Sequence, residues 1–201
     1  MESTVKEPAQ PETQWLQKAR EGDEAAFGEL MQFHYENVYR LVFSIVRNEH
    51  DARDLCQEIW LKIWQQLPRY RGDSKFTTWL HPIATRRAID HLRKRRRWFD
   101  RFLPYQRNRD DDPDSGPIYE PVSEEPDAVE EMERDERRIH LENVMATLPP
   151  KQRAVLALRE IQGLSYDEIA TTLKIRRGTV MSRLFHARRQ LATKLRENPC
   201  D

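Results

Sequence analysis

The feature that most constrains this chain is a stretch that resists folding. Residues 110–136 hold thirteen Asp or Glu against Arg134 alone, a balance of minus twelve. Five of the twelve prolines, Pro104, Pro113, Pro117, Pro121 and Pro126, fall in or beside it. Such a segment has too few apolar side chains to offset the entropy of ordering its backbone. Residues 99–137 are therefore expected to form an acidic, proline-rich, flexible linker, and residues 1–13, polar and proline-bearing, a disordered tail. A chain of 201 residues divided in this way is expected to build two small units, residues 14–98 and 138–197, instead of one large core. The composition agrees: 38% of the residues are apolar, about 41% with the six Gly, and 34% are charged, against ~45–50% and ~25% in ordinary globular domains.

The formal net charge of zero hides a segregation. Residues 86–109 carry ten Lys or Arg against Asp90 and Asp100, and residues 174–196 carry eight Lys or Arg and no acid. The order is basic, acidic, basic. On both flanks the apolar residues recur at helical spacing without period-two alternation, so the fold class is all-α. Helix breaks are expected at Gly22 and Asp23, at residues 48–50 and 68–74, at Pro149 and Pro150, and at Gly163 and Gly178.

In the C-terminal flank, Ser165 and Glu168 are spaced as a capping box that opens a short helix ending near Leu173. A turn and a second helix to about Arg196 follow, which is a helix-turn-helix pattern. At 100° per residue Val180, Leu184, Ala187, Leu191 and Leu195 form a buried stripe. Gly178, Ser182, Phe185, His186 and Arg189 lie opposite. That face suits a major groove: Ser182 and His186 reach base edges, Phe185 a thymine methyl, and Arg176, Arg177 and Arg189 guanine or phosphate. Arg183 sits between the faces as a phosphate clamp. A basic helix that merely keeps the chain soluble usually mixes signs to gain i,i+4 pairs, and this one does not.

In the N-terminal flank, residues 51–67 read as a helix with Ala52, Leu55, Cys56, Ile59, Ile63 and Leu67 on its core face. The other side bears Asp54, Gln57, Glu58, Leu61 and Trp64. A Leu and a Trp beside acids suggest a protein partner, although Trp64 taken singly fits packing against a neighbouring helix of the same bundle somewhat better. Residues 76–97 read as a helix started by Thr77 or Thr78, with Trp79, Leu80, Ile83 and Ala84 in the core. It ends in Arg93, Lys94, Arg95, Arg96 and Arg97, more cations than a helix dipole needs and a fit to nucleic-acid phosphate. Tyr70, Phe76, Trp79 and Trp98 are nearby stacking candidates, of which Trp79 is the one assigned to the core.

Other classes find no support. No Gly-rich phosphate loop, nucleophile–base set or metal-ligand spacing appears, so no catalytic, cofactor-binding or metal residue is expected and the chain does not read as an enzyme. Cys56 and Cys200 are far apart and match no zinc pattern. The longest apolar run, residues 41–46, is broken by Ser44 and is too short to span a bilayer. No signal peptide fits the polar N-terminus, and a cytoplasmic location without direct membrane insertion is expected.

Taken together, residues 51–64 (DARDLCQEIWLKIW), 76–97 and 163–191 (GLSYDEIATTLKIRRGTVMSRLFHARRQL) resemble an ECF-type sigma factor, the small initiation subunit of bacterial RNA polymerase. The resemblance covers residues 15–97 and 138–196. It implies a sigma-two-like domain that docks on polymerase and opens the minus-ten element, and a sigma-four-like domain that reads the minus-thirty-five element. It implies core RNA polymerase, promoter DNA and an anti-sigma factor as partners, no small-molecule substrate, and a role in a stress or envelope response. Residue by residue, it places Asp54, Gln57, Glu58 and Leu61 on polymerase. It places Phe76, Arg86, Arg87, Asp90, His91, Arg93, Lys94, Arg96 and Arg97 along the minus-ten strand. It places Arg176, Arg177, Thr179, Ser182, Arg183, Phe185, His186 and Arg189 on the minus-thirty-five element. Arg86 stands where the family commonly has Asn, Pro82 enters a helix that usually lacks it, and Met181 replaces a frequent Lys or Arg. The alternative from another class is a stand-alone helix-turn-helix regulator, which would not need both a strand-binding helix and a docking helix.

Overall fold

The computed structural model describes residues 10–102, 140–141 and 143–197, and the described residues hold helices and no strand. The N-terminal half consists of α1 (Gln10–Arg20), α2 (Glu24–Val46), α3 (Glu49–Gln66) and α4 (Phe76–Phe102). A single 3-10 turn, Leu67–Arg69, follows α3. The C-terminal half holds helical residues 140–141 and 143–146, then α5 (Pro150–Glu160), α6 (Tyr166–Leu173) and α7 (Arg177–Glu197).

The breaks fall where local chemistry demands them. Gly22 takes a φ of 99°, which an L side chain rarely adopts. Asp23 then caps α2 by accepting from the Ala26 amide at 3.0 Å. Arg47 closes α2 in the left-handed region, φ 58°, and Asn48 opens α3 by accepting from the Asp51 amide at 2.8 Å.

Several boundaries differ from the sequence expectation; Gly178, expected at a break, lies in the first turn of α7. α1 begins at Gln10, inside the expected tail, because Glu12 is buried against His34 with Oε1 and Nε2 3.1 Å apart. α4 begins at Phe76, ahead of Thr77 and Thr78, because the Phe76 ring is packed among His34, Tyr70 and Trp79 and burial fixes the first turn. α4 also runs through Pro82 and on to Phe102, the last described residue of this segment, four residues into the expected linker. The rest of the linker, 103–137, and residues 1–9 lie outside the described residues.

The apolar cores of the two halves are in contact. Leu30, Leu41, Ile45, Ile59, Ile63 and Leu80 are fully buried in the N-terminal half, and Leu148, Leu158, Ile169 and Leu184 in the C-terminal half. All belong to one apolar cluster. α5 packs on α2 and α4, and α6 packs on α4. Each such Leu or Ile contributes about 1.5–3 kcal/mol by leaving water, so the seam between the halves is an apolar contact. At its edge the Gln162 amide donates to the Asn37 carbonyl at 3.1 Å.

Candidate functional site

The apolar stripe of α3 is buried as its period requires: Ala52, Leu55, Cys56, Ile59 and Ile63 all face the core. Trp60, on the flank of that stripe and absent from the sequence expectation, is buried too, its ring edge-on to Phe27 at 6.1 Å. Trp64 packs on the same Phe27 at 4.8 Å, so it belongs to the bundle and not to the outer face. What remains outside is Asp54, Gln57, Glu58 and Leu61, all exposed, with Leu61 60% accessible. Burial pushes the Cys56 thiol up to about 12, so it behaves as a small apolar residue.

The basic end of α4 lies beside this face, and the two exchange ion pairs. Arg87 donates to Glu58 through Nε at 2.7 Å and through Nη2 as well. Arg95 donates to Asp51 at 2.7 Å, and His91 Nε2 lies 3.3 Å from the same carboxylate. Arg93 reaches Asp90 within α4 at 3.4 Å. Arg86, Lys94 and Arg97 point outward and are exposed, whereas Arg96 is half-buried. One expectation fails here: Phe76 is only 2% accessible, so its ring cannot stack on a base at the surface. Tyr70 is buried with it, Trp79 is half-buried against both, and Trp98 is the exposed aromatic at the far end of the helix.

In the C-terminal half the capping box is complete. The Glu168 amide donates to Ser165 Oγ at 3.3 Å and the Ser165 amide donates to Glu168 Oε2 at 2.7 Å. These hydrogen bonds hold the Glu168 carboxyl below the usual carboxylate range. Lys174 ends α6 in the left-handed region, φ 55°, and turns the chain into α7. Val180, Leu184 and Ala187 are buried, Leu191 is half-buried, and Leu195 emerges into solvent.

The opposite face of α7 presents Ser182, Phe185, His186 and Arg189, all exposed, with Phe185 62% accessible. Arg176 and Arg177 are exposed before it, Thr179 and Arg183 are half-buried, and Arg177 lies 3.7 Å from Asp167 on α6. Met181 and Arg188, which the sequence reading did not place on this face, join it. They line a shallow groove of about 400 Å³ with Tyr166, Leu184, Phe185 and Arg189. Arg188 is tied to Glu160 at 2.6 Å, which fixes it beside the groove. A larger cavity, about 1060 Å³, opens between α1, α2 and the α3–α4 connection, away from both basic helices' exposed ends.

Among the described residues no group of His, Cys, Asp or Glu could hold a metal ion, and no helix is long and apolar enough to cross a membrane.

Residues 30–98 match the family described as Sigma-70 region 2, and residues 138–191 match Sigma-70, region 4. The chain is 34% identical over 184 residues to the RNA polymerase sigma-H factor of Pseudomonas aeruginosa, covering 87% of this chain and 89% of that protein. It is 36% identical over 176 residues to the ECF RNA polymerase sigma factor SigE of Mycolicibacterium smegmatis, covering 85% of this chain and 63% of that relative's length. The chain thus spans less than two thirds of SigE. In fold it is similar to the sigma factor RpoE solved in complex with the anti-sigma factor NepR from Bartonella quintana. That match has a TM-score of 0.65 at 19% identity over 85% of this chain and 96% of that one.

Proposed function

The chain belongs to the sigma-70 family, as an ECF-type sigma factor, and from that premise we propose how its surfaces direct core RNA polymerase to promoters. Asp54, Gln57, Glu58 and Leu61 form the polymerase-docking face of α3. The cations of α4 follow the non-template strand at the minus-ten element, with Arg86, Lys94 and Arg97 on phosphate. α7 enters the major groove at the minus-thirty-five element, where Ser182, Phe185 and His186 read base edges and Arg176, Arg177, Arg183 and Arg189 hold the backbone.

The observation that carries this reading is the α3–α4 pair: an exposed acidic-apolar face and a basic helix end, side by side in one half of the chain. A stand-alone helix-turn-helix regulator has no use for it. Nothing in the proposal requires catalysis by the chain, and the work is done in the cytoplasm, where polymerase and DNA are. The fold shared with a sigma factor captured on an anti-sigma factor supports a similar inhibitor as a third partner.

Geometry adds a requirement. Two elements separated by about 25 base pairs lie roughly 85 Å apart along the duplex at ~3.4 Å per pair. A packed body of about 150 residues has a radius of gyration of only ~15 Å. The halves must therefore come apart before both elements are read together. Co-purification with core polymerase, followed by transcription from genomic DNA fragments, tests the proposal: discrete chain-dependent transcripts support it, and DNA binding without polymerase binding refutes it.

A further inference from the structure

At the seam between the halves sits a histidine that neither docking nor promoter reading uses. His81, in the second turn of α4, is 5% accessible. Its Nδ1 is buried without a hydrogen-bond partner among the described residues, as is Thr85 Oγ1 one turn later. α2, α3, α5 and α6 all pack on α4. The groups acting on the ring are His34 from α2, Gln162 from the connection after α5, and Glu168 from the first turn of α6. Gln162 hydrogen-bonds the ring and Glu168 favours its charged form, but burial outweighs both, and Nδ1 has no acceptor for a second proton. Glu168 is bonded to the Ser165 amide and hydroxyl, Gln162 donates its amide to Asn37, and His34 is itself an imidazole paired with Glu12.

A neutral imidazole fits this seam and an imidazolium does not. Once charged, both ring nitrogens are donors, and a buried charge with an unmet donor is costly. The same ring becomes hydrated if α5 and α6 move away from α4, and then nothing opposes its proton.

We propose that His81 is a proton-sensitive latch, whose protonation releases the C-terminal helices from the N-terminal bundle. Burial, reinforced by His34, pushes the packed ring down to about 4, whereas a hydrated imidazole titrates near ~6.5. A group depressed in the packed form stabilises that form fully above the hydrated value and loses the contribution as pH falls through the packed one. The open-to-packed ratio therefore rises roughly tenfold between pH 7.5 and pH 5.5. That acid prepares the chain for two separated promoter elements rests on the proposed function; the opening itself does not.

The test uses the full chain with Cys200→Ser and spin labels at Lys62→Cys on α3 and Thr193→Cys on α7, both exposed positions. Cys56 is buried and stays unlabelled. Distances between the labels are recorded at pH 7.5 and 5.5, with circular dichroism to confirm retained helicity. The expected result is a long-distance population whose ratio to the short one grows about tenfold at pH 5.5. It should be pH-independent in His81→Leu, which cannot take a proton, with His81→Gln as the second variant should leucine disturb packing. His34 keeps its own titration in every variant, so a response that persists without His81 overturns the proposal. So does an unchanged distance distribution in the parent. Transcription by His81→Leu at pH 7.5 reports separately on sigma activity, so a failure of the latch and a failure of the function are distinguishable.

Discussion

Glu58 on α3 accepts hydrogen bonds from Arg87 on α4, through Nε at 2.7 Å and through Nη2, so a residue assigned to polymerase and one assigned to DNA are counter-ions of each other in the free chain. Asp51 on α3 and Arg95 on α4 form a second ion pair two helical turns away, at 2.7 Å. The docking face and the strand-binding helix are therefore joined by charge along their length.

The Glu58 and Arg87 side chains remain partly exposed, at 50% and 35%, and a pair of this kind contributes ~0–1 kcal/mol. Glu58→Gln should lower stability by less than about 1 kcal/mol in a chemical melt. Reversing Asp54 and Glu58 together to Arg should weaken binding to core polymerase by more than about tenfold, since it sets like charges against the partner. Normal helicity with undiminished capture of core enzyme would remove these residues from the docking face.

On the recognition helix, backbone and base contacts should separate in their salt behaviour. Arg177→Ala or Arg189→Ala should weaken binding to an upstream promoter fragment on every sequence and reduce the slope of log affinity against log salt by about one. Ser182→Ala or His186→Ala should change base preference, with a lost base contact costing ~1–3 kcal/mol. Titrations on a panel of fragments distinguish the two; equal losses on all sequences for all four variants would dissolve the division.

Ser165 and Glu168 make a stability prediction with a pH sign. Ser165→Ala removes the cap and should cost about 1 kcal/mol near neutral pH. The Glu168 carboxyl is held low mainly by its bonds to Ser165, so its contribution is present above the ordinary carboxyl range of ~4.3 and is lost as pH falls through the depressed value. The gap between parent and variant should accordingly narrow in melts at pH 3. A gap that widens in acid would contradict the capping geometry.

Cys56 should resist thiol reagents. With its side chain in the core and its thiol pushed up to about 12, almost no thiolate exists near neutral pH. Labelling of Cys56 in the Cys200→Ser chain should track global unfolding in denaturant, and rapid modification of the native protein would show that α3 is not seated as described.

What was legible in the sequence was local. The breaks at Asp23 and Asn48, the box of Ser165 with Glu168, and the Val180–Leu184–Ala187 stripe depend on neighbours within one or two turns, and each falls where local chemistry requires. What was not legible depends on contacts between distant segments. Glu12 looks like part of a polar tail until His34, 22 residues on, supplies its partner. Phe76 looks like a stacking platform until α2 and the turn before α4 close over it. His34 itself carried a signal, since it lies four residues from both Leu30 and Val38 on a buried stripe. The shared core across the seam carried none, because periodicity tells which face of a helix is apolar and not which helix will cover it.

The central claim is that one chain joins polymerase docking to promoter reading. The most direct measurement is reconstitution of the full chain with core RNA polymerase stripped of other sigma factors, then run-off transcription from a library of genomic fragments. The account predicts a stable complex and discrete start sites that require the chain and vanish with the Asp54→Arg, Glu58→Arg double variant. Sequence-specific binding to the same fragments by the chain alone, with no complex and no chain-dependent start sites, would contradict it.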